Sequence, residues 1–175
     1  MKLVRWTRFS WDLTKLAPVY PAIDSHYRVR QATLEDEKAV RNAIISAFTL
    51  DSNWNYALRE LRDQVETSLT AIFHERGSIP CMVVTHGNRV IGASALSVSR
   101  DVESHLITGP CILIEYRNRG LATALLAESL AYLRDAGLTT AHGLTKKDSP
   151  TAKFLYTKFG STNSPYEDEP HLAAS

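Results

Sequence analysis

The sequence predicts a mixed α/β fold in which a β-sheet carries helices on its faces. Two observations lead to this prediction. Short runs of β-branched and apolar residues, separated by turn-forming residues, alternate with longer stretches whose apolar residues recur at helical spacing. The elements follow one another in the order β-α-α-β-β-β-α-β-α-β, which does not contain the βαβαβ half of a dinucleotide-binding fold.

The length and composition indicate one globular domain. A chain of 175 residues, 44% of them hydrophobic and 22% charged, has enough apolar residues for one core and too little length for two domains of ordinary size. The 20 Lys and Arg residues nearly balance the 19 Asp and Glu residues, so no charged field favours nucleic acid or a membrane surface. We therefore expect neither of these partners.

Cysteine and histidine usage predicts a reduced protein without a bound metal. Cys81 and Cys111 do not have the close spacing of metal ligands, and the six histidines are scattered along the chain. Residues 1–24 are interrupted by charged side chains such as Arg8 and Asp12, which a signal peptide or a membrane span would exclude. We expect a cytoplasmic protein.

Residues 1–25 are predicted to form an N-terminal extension that packs on a domain formed by residues 26–175. Aromatic residues, among them Trp6 and Trp11, are too frequent here for a disordered tail. The sequence leaves two roles open: the extension narrows a ligand cleft, or it mediates formation of a homodimer.

The domain is predicted to begin with one strand and two helices. The strand covers His26 to Gln31, and the first helix runs from about Leu34 to Phe48 with Thr33 as its N-cap. A polar loop over residues 50–55 leads to a second helix at about residues 56–75, whose apolar residues recur on one face.

A hairpin and a further strand follow. Pro80 to Thr85 and Arg89 to Ser99 are β-branched runs on either side of His86-Gly87-Asn88, which is a turn sequence. The next strand is predicted from about His105 to Ile114. A bulge is expected at Gly109, because the proline that follows it cannot donate a backbone hydrogen bond.

The remaining elements are two helices with a strand between them. The first helix runs from about Gly120 to Asp135, and the strand covers about Thr139 to Thr145. The last helix begins at Ser149, which is followed by a proline at the first helical position, and it ends at Gly160. Two short strands are expected after it, around Ser161 and at His171 to Ala174, with a loop from Asn163 to Pro170 between them.

The segment that carries most chemical information lies between a strand and a helix. Backbone amides at a helix N-terminus have no intrahelical partner and favour negative charge, and small residues let a ligand approach the main chain. With two arginines beside them, such amides predict a cradle for a pyrophosphate group. The alternative is that Gly120 is only a turn residue and that the arginines are solvated at a helix start. The segment reads Arg117-Asn118-Arg119-Gly120-Leu121-Ala122-Thr123.

Two segments of the chain resemble the signatures of one family. Tyr116 to Leu126 resembles the acyl-CoA signature of the GNAT acetyltransferases, Arg/Gln-x-x-Gly-x-Gly/Ala. Asp148 to Gly160 resembles the penultimate helix of that family, which ends in an aliphatic-Tyr-x-x-x-Gly pattern. The resemblance covers roughly residues 26–174 and depends on the two motifs in combination. It implies the GNAT fold, in which a mostly antiparallel sheet is split between two parallel strands and flanked by helices, about four in all.

The resemblance also implies a site for acetyl-CoA. The pantetheine arm would enter the split between the strand ending near Ile114 and the strand at Thr139 to Thr145, and Ser149 would face it. A main-chain amide would polarise the thioester carbonyl, and Tyr156 would protonate the departing thiolate. The implied cofactor contacts, which include no metal, lie at Ile112, Leu113, Arg117, Asn118, Arg119, Gly120, Leu121, Ala122, Thr123 and Ser149.

The sequence departs from the family pattern at three positions. Ile114 stands where the family often has proline, Ala122 takes the place of the last motif glycine, and Ser149 replaces a frequent asparagine. Ala122 is an allowed variant, whereas Ser149 has a shorter reach toward pantetheine.

Two residues also have other interpretations. Tyr156 is alternatively an aromatic side chain of the core. Cys111 is alternatively a nucleophile that accepts the acyl group, although no His-Asp relay accompanies it.

A base that collects the proton of an attacking amine is not assigned by the sequence. Strand alternation places Glu103 and His105 on the same face. Each candidate is also expected as a solvated or strand-edge residue. The candidates near the split are Glu115, Glu103, Asp101 and His105.

Acceptor recognition in this family usually comes from the loop between the first two helices and from the C-terminal loop. Here these loops are Asp51 to Tyr56 and Tyr166 to Glu169. Aromatic and acidic groups in both loops favour a cationic amine. The alternative is a solvated loop with a tryptophan that packs on the domain.

The resulting hypothesis is an N-acetyltransferase that moves the acetyl group of acetyl-CoA directly to a primary amine of a small molecule. A peptide or protein amine is the alternative acceptor. A non-catalytic acyl-CoA-binding or sensory module would keep the cradle and lose the acceptor chemistry. A nucleotide-phosphate binder is disfavoured, because the cradle segment lacks the Gly-x-x-x-x-Gly-Lys-Ser/Thr pattern.

Overall fold

The described residues of the protein, 5–17, 21–50, 58–74 and 77–167 of a computed structural model, form two antiparallel sheets with helices on their faces. The strands are β1 (Trp6–Asp12), β2 (Tyr27–Gln31), β3 (Cys81–His86), β4 (Arg89–Ala95), β5 (Cys111–Ile112), β6 (Thr140–Lys146) and β7 (Thr162–Tyr166). The helices are α1 (Glu37–Thr49), α2 (Leu58–Phe73) and α3 (Leu121–Asp135), and a π-helical turn covers Thr151–Leu155.

The first sheet has the strand order β2-β3-β4-β5, and the second has the order β6-β1-β7. Alternate side chains of β3 point to opposite faces of the first sheet. Met82 and Val84 pack with α3, whereas Cys81 and Val83 pack with α1 and α2. The predicted mixed α/β class is therefore confirmed, with α3 on one face of the sheet and α1 and α2 on the other.

Most of the predicted elements are present, with small shifts of their ends. β3 and β4 form the predicted hairpin, in which Gly87 has a φ of +59°. A short 3-10 turn at Leu34–Asp36 precedes α1, and the Asp36 carboxylate accepts a hydrogen bond from Thr33 N at 2.8 Å. This contact satisfies a backbone donor at the start of the helical segment, as a capping residue does.

The predicted strand from His105 to Ile114 is interrupted. Leu106 makes an isolated bridge with Leu96, and the chain pairs with β4 again only at β5. Gly109 lies between these two pairings with a φ of +66°, and the proline after it has no backbone donor. The expected bulge at Gly109 is therefore confirmed and is larger than one residue, because the chain takes five steps from Leu106 to Cys111 while β4 takes three between their partners, Leu96 and Ala93.

The predicted last helix is much shorter than expected. Its helical part is the π-helical turn at Thr151–Leu155, in which Tyr156 N donates to Thr151 O at 2.8 Å. Phe159 and Gly160 have φ values of +63° and +73°. The prediction that the helix extends to Gly160 is wrong, because these left-handed residues belong to the turn that leads into β7.

β1 is the central strand of the second sheet, in a segment to which the sequence assigned no strand. It pairs with β6 along its whole length, from Trp6 opposite Lys146 to Asp12 opposite Thr140. On its other edge it pairs with β7, from Trp6 to Ser10. The loop predicted from residue 163 is therefore wrong as far as Tyr166, because this segment pairs with β1; the strand predicted at residues 171–174 lies outside the described residues. Both main-chain edges of β1 are therefore used in the sheet.

Two aromatic residues anchor β1 in the core beneath α3. Trp11 is 0% exposed, and its Nε1 donates to Lys158 O at 2.8 Å. The rings of Phe9 and Trp11 both meet the Tyr156 ring edge-on, with centroid separations of 5.6 and 5.4 Å. This geometry is favourable for aromatic pairs, so β1 and the segment around Tyr156 share one core.

We expect Trp11→Ala to lower the free energy of unfolding by about 3–5 kcal/mol, because it leaves a large cavity and an unpaired carbonyl at Lys158. Urea unfolding followed by circular dichroism measures this change. The control is Lys15→Ala, an exposed position just beyond β1, which should change the free energy by less than about 0.5 kcal/mol. A loss below about 1 kcal/mol for Trp11→Ala would show that β1 lies outside the cooperative core.

Candidate active site

The two sheets separate between β5 and β6, where the sequence predicted a split. They are joined at one end, where His105 N and Leu106 N donate to His142 O at 2.8 and 3.3 Å. His142 N in turn donates to His105 Nδ1 at 2.9 Å. Leu144 N also donates to Ser104 Oγ at 3.3 Å. Beyond these contacts, within the described residues, β5 pairs with β4 and β6 pairs with β1. The gap is therefore closed at His105 and His142 and open beside Ile112.

Ile112 presents a main-chain amide to this gap. Leu113 N donates to Ile91 O at 2.9 Å, which uses the Leu113 amide within the first sheet. Neighbouring residues of an antiparallel strand direct their amides to opposite edges. The amide of Ile112, which lies opposite Gly92 on β4, therefore points away from β4. Of the two positions predicted to lie beside a thioester, only Ile112 has its amide on the side of the gap.

Gly92 permits the close approach of β4 and β5, a role that the sequence motifs did not indicate. A Cβ at this position would lie 2.6 Å from Ile112 Cδ1 and 2.8 Å from Cys111 O. Contacts this short require one strand to move. The position of Ile112 beside the gap therefore depends on the absence of a side chain at Gly92.

The predicted cradle lies at the N-terminus of α3. The first backbone hydrogen bond of the helix runs from Ala124 N to Gly120 O at 3.1 Å, so the amides from Leu121 to Thr123 precede the helical ladder. Gly120 has a φ of +76°, and a Cβ there would meet no atom within 4 Å. Leu121 is buried and fixes the first turn to the core. The start of α3 is thus both anchored and open to a ligand.

The two arginines of the cradle are held by neighbouring groups. Arg117 Nε donates to Ile112 O at 3.2 Å, which ties the cradle loop to β5. Arg119 donates to the Tyr27 hydroxyl at 2.7 Å and to Glu115 O at 3.1 Å. Its guanidinium carbon also lies 5.3 Å from the centroid of the Tyr116 ring, within cation-π range. Both charges are therefore held beside the open amides.

Several residues around the cradle were not found from the sequence. Lys158 Nζ donates to Thr123 Oγ1 at 3.2 Å and adds a cation beside the first turn of α3. Tyr27 and His86 pack against Tyr116, with ring centroids 6.1 and 5.5 Å away. No local pattern could have indicated this grouping, because distant parts of the chain contribute to it.

Tyr156 lies in the core on the α3 side of the gap. Its side chain is 2% exposed, and its hydroxyl would be 2.5 Å from a Cβ at Gly109. Its ring would be 3.1 Å from a Cβ at Gly143 on β6. Two glycines, one from each side of the gap, therefore make room for this residue. Burial raises the pKa of the Tyr156 phenol, which keeps the hydroxyl protonated at neutral pH.

Ser149 serves as a local cap in this structure. Its Oγ accepts a hydrogen bond from Ala152 N at 3.2 Å, as predicted for the start of the last helix. The same oxygen lies 3.1 Å from Thr145 Oγ1 on β6. The hydroxyl that the resemblance directed toward pantetheine is thus engaged with its own turn and with β6.

The predicted placement of Glu103 and His105 on one face is wrong, because residues 100–105 do not form a strand. Glu103 is exposed and His105 is 1% exposed. His105 Nε2 donates to Ser99 O at 3.0 Å, while its Nδ1 accepts from the backbone. Both ring nitrogens are thus used. Burial lowers the pKa of His105, and the charge of Arg8 lowers it further.

The other predicted titratable residues are distributed around the gap. Glu115 Oε1 accepts a hydrogen bond from Arg89 at 3.4 Å, and Asp101 is exposed. Cys111 is buried on β5, and burial raises the pKa of its thiol to about 12. A thiol that stays protonated is a poor nucleophile. The structure therefore brings no activating base to Cys111 among the described residues.

The loops predicted to recognise an acceptor lie mostly outside the described residues. This applies to Asp51 to Tyr56 and to Asp168 and Glu169. Tyr166 is the last residue of β7. In the parts of the chain that are described, no helix is long and apolar enough to cross a membrane. Those same parts contain no group of three His, Cys, Asp or Glu side chains arranged to hold a metal ion.

Comparisons with known proteins agree with this geometry. The acetyltransferase (GNAT) family model matches residues 39–161. A GCN5-related N-acetyltransferase from Sphaerobacter thermophilus has a similar structure, with a TM-score of 0.67 and 18% identity over 94% of this chain and 50% of that one. A GNAT-family acetyltransferase from Colwellia psychrerythraea has a TM-score of 0.59 and 15% identity, over 93% of this chain and 54% of that one.

The chain spans about half the length of these two proteins. At such low identities, the likeness to them concerns the fold. Comparison with the sequences of curated proteins gives no match.

We expect the free energy of unfolding to fall as the pH is lowered from about 6.5 to about 4, through protonation of His142. Burial lowers the pKa of His142 to about 4 in the folded protein, with further lowering by Arg8 and His105. The unfolded chain therefore binds a proton first as the pH falls, so the stabilisation present above the ordinary histidine pKa is lost across this range.

Urea unfolding at about pH 7 and about pH 5 measures the effect. His142→Gln should make the fall in stability shallower. The exposed His74 provides a matched control, since His74→Gln should leave the slope unchanged. If the free energy of unfolding fell equally steeply with pH in wild type and in His142→Gln, protonation of His142 would not be its cause.

Proposed function

Because the chain belongs to the GNAT family of acetyltransferases, we propose that it transfers the acetyl group of acetyl-CoA directly to a primary amine of a small molecule. One observation carries the proposal. The open amides at the start of α3, the inward-facing amide of Ile112 and the hydroxyl of Tyr156 all border one gap between the sheets. Together they offer an anion cradle, a hydrogen-bond donor for a carbonyl and a proton donor.

The cradle fits the pyrophosphate group of CoA. Free amides and the helix dipole attract a dianion at this end of α3. The open space beside Gly120 lets phosphate oxygens approach the main chain. The contacts proposed for the pyrophosphate come from Arg117, Asn118, Arg119, Gly120, Leu121, Ala122 and Thr123, with Lys158 as an additional cation.

The transfer requires orientation and charge stabilisation more than a strong nucleophile. The nitrogen of a neutral amine attacks the thioester carbonyl carbon, so a C–N bond forms and the C–S bond breaks. The nitrogen loses one proton to a base or to water, and the CoA sulfur gains one. In this proposal the Ile112 amide donates to the carbonyl oxygen, and the Tyr156 hydroxyl supplies the proton to sulfur.

We expect acetyl-CoA and CoA, but not ATP with magnesium, to raise the melting temperature of the protein, because a ligand of the folded state stabilises it. Ala122→Glu should abolish this shift by placing a carboxylate where the phosphates bind. A glutamate in the first turn of a helix favours the fold, so the variant should remain folded. Differential scanning fluorimetry measures the shift.

The control for this experiment is Ala136→Glu, which places the same charge at the other end of α3. It should keep the full shift with acetyl-CoA. If saturating acetyl-CoA caused no shift in wild type, the cradle would not be a CoA site. If it caused a shift but no amine in a broad panel released CoA thiol, the domain would be a binding module and the transferase proposal would be wrong.

We expect Tyr156→Phe to lower kcat by about 10²-fold, with little change in the KM for acetyl-CoA, because the variant loses a proton donor and keeps the aromatic ring. The packing against Phe9 and Trp11 persists, so the fold should be preserved. A thiol-release assay with any accepted amine measures both constants.

Tyr132→Phe is the matched control, because the Tyr132 hydroxyl contacts Ser78 and has no part in the proposed chemistry. Its kcat should equal that of wild type. An unchanged kcat in Tyr156→Phe, under conditions where added viscogen shows that chemistry limits turnover, would remove Tyr156 from the role of acid.

A further inference from the structure

The face of the second sheet that points away from α3 carries polar side chains beside the apolar Trp6 and Leu144. Alternation along β1 directs Phe9 and Trp11 into the core and Arg8 and Ser10 to the opposite face. Ser10 lies opposite His142 on β6, and its Oγ is 2.8 Å from His142 Nδ1. The central strand thus carries a cation and a hydroxyl on a surface that the core does not use.

Arg8 is half-buried on this face, and its charge has no partner among the residues that the structure describes. Its Nε is sealed from solvent and has no hydrogen-bond partner. Within the described part of the chain, Arg8 forms no ion pair with a carboxylate. A guanidinium nitrogen removed from water without a partner is unfavourable. An anion bound at the outer nitrogens of Arg8 would supply the counter-charge that the guanidinium lacks among the described residues.

The groups around Arg8 do not supply that anion. Burial lowers the pKa of both His105 and His142, and the charge of Arg8 lowers it further, so both rings stay neutral at pH 7. Asp12 is the acidic residue on this face of the described strands, and it lies at the far end of β1. Its Oδ1 accepts hydrogen bonds from Thr14 N and Oγ1 at 3.0 and 2.6 Å. The environment of Arg8 therefore combines positive charge with neutral polar groups.

The face that carries Arg8 lies on the opposite side of the second sheet from Tyr156 and α3. Gly143 on β6 faces Tyr156, whereas its neighbours His142 and Leu144 face the side of Arg8. The cradle belongs to α3, on the same side of the sheets as Tyr156. An acyl group that enters the open part of the gap from the α3 side, beyond the contacts between His105 and His142, therefore points toward the face that carries Arg8.

We propose that Arg8 binds a carboxylate of the acceptor, so that the amine substrate is a carboxylate-bearing amine of the amino-acid class. This inference rests on the proposed function. The outer edge of a guanidinium, formed by Nη1 and Nη2, offers two parallel donors that match the two oxygens of a carboxylate. Lys146, which pairs with Trp6 on this face, is a second cation two residues along β6 from the residue opposite Arg8. Ser10 and His142 lie beside Arg8 as neutral hydrogen-bonding groups.

The test compares carboxylate-bearing amines with matched neutral amines. Glycine, β-alanine, 4-aminobutyrate and phenylalanine are each paired with the corresponding primary amide. Binding to the CoA-saturated protein is measured by calorimetry, and kcat/KM is measured by thiol release. For at least one pair we expect the kcat/KM of the acid to be about tenfold or more above that of the amide. The reason is that the amide lacks the carboxylate and leaves the guanidinium of Arg8 without a partner.

Arg8→Gln should remove this preference, and Arg8→Lys should restore part of it. Arg62→Gln, an exposed position on α2, is the matched control and should keep the preference. The melting temperature of Arg8→Gln should not fall, because the sealed Nε has no partner to lose. This readout shows that a lost preference does not reflect unfolding.

The outcomes separate this inference from the proposed function. Acetylation of each amide as fast as its acid, or a preference that survives in Arg8→Gln, would overturn the carboxylate site and leave the transferase standing. Binding of acids that depends on Arg8, without thiol release from any amine, would overturn the transferase and leave an anion site. No difference between acid and amide in binding or turnover across the panel would overturn the inference.

Discussion

The packing of Tyr156 between Phe9 and Trp11 is the contact on which the rest of the site depends. It joins β1, near the N-terminus, to the segment that follows β6. The hydrogen bond from Trp11 to Lys158 O reinforces the same junction. Since β1 also separates β6 from β7, this contact fixes both the second sheet and the side chain proposed to donate a proton. The same packing contact therefore stabilises the second sheet and positions the proposed proton donor.

The two sides of the gap are built by different means. On the β5 side, a glycine at position 92 lets the strands approach, and Arg117 ties the cradle loop to Ile112. On the β6 side, Gly143 leaves room for the ring of Tyr156. The gap closes where His105 and His142 exchange backbone and side-chain hydrogen bonds. Glycine residues therefore allow close packing on both sides of the gap, and the buried, neutral His105 closes one end of it.

The sequence predicted the elements whose signals are local. Helical periodicity located α1, α2 and α3, and the turn at Gly87 located the hairpin. The family motifs located the cradle, because its amides and arginines are contiguous in the chain. Alternation of Phe9, Ser10 and Trp11 was a signal for β1, but such a pattern also suits an extension that packs on a finished domain.

What the sequence did not predict depends on contacts between distant residues. Arg8, Tyr27 and Lys158 reach the candidate site through pairing of strands and packing of helices, which no spacing along the chain reports. The end of the last helix was also missed. Its motif is continuous in sequence, but left-handed residues at Phe159 and Gly160 turn the chain toward β7.

The number of residues in the π-helical turn before Tyr156 has a structural consequence. A π-turn holds one residue more than an α-helical turn, and the bond from Tyr156 N to Thr151 O closes it. Deleting one residue from Ala152 to Leu155 would leave the spacing of an α-helical turn, in which the tyrosine amide still closes on the carbonyl of Thr151. A homologue aligned to this chain with a one-residue gap here would therefore keep the tyrosine of its motif near the same position.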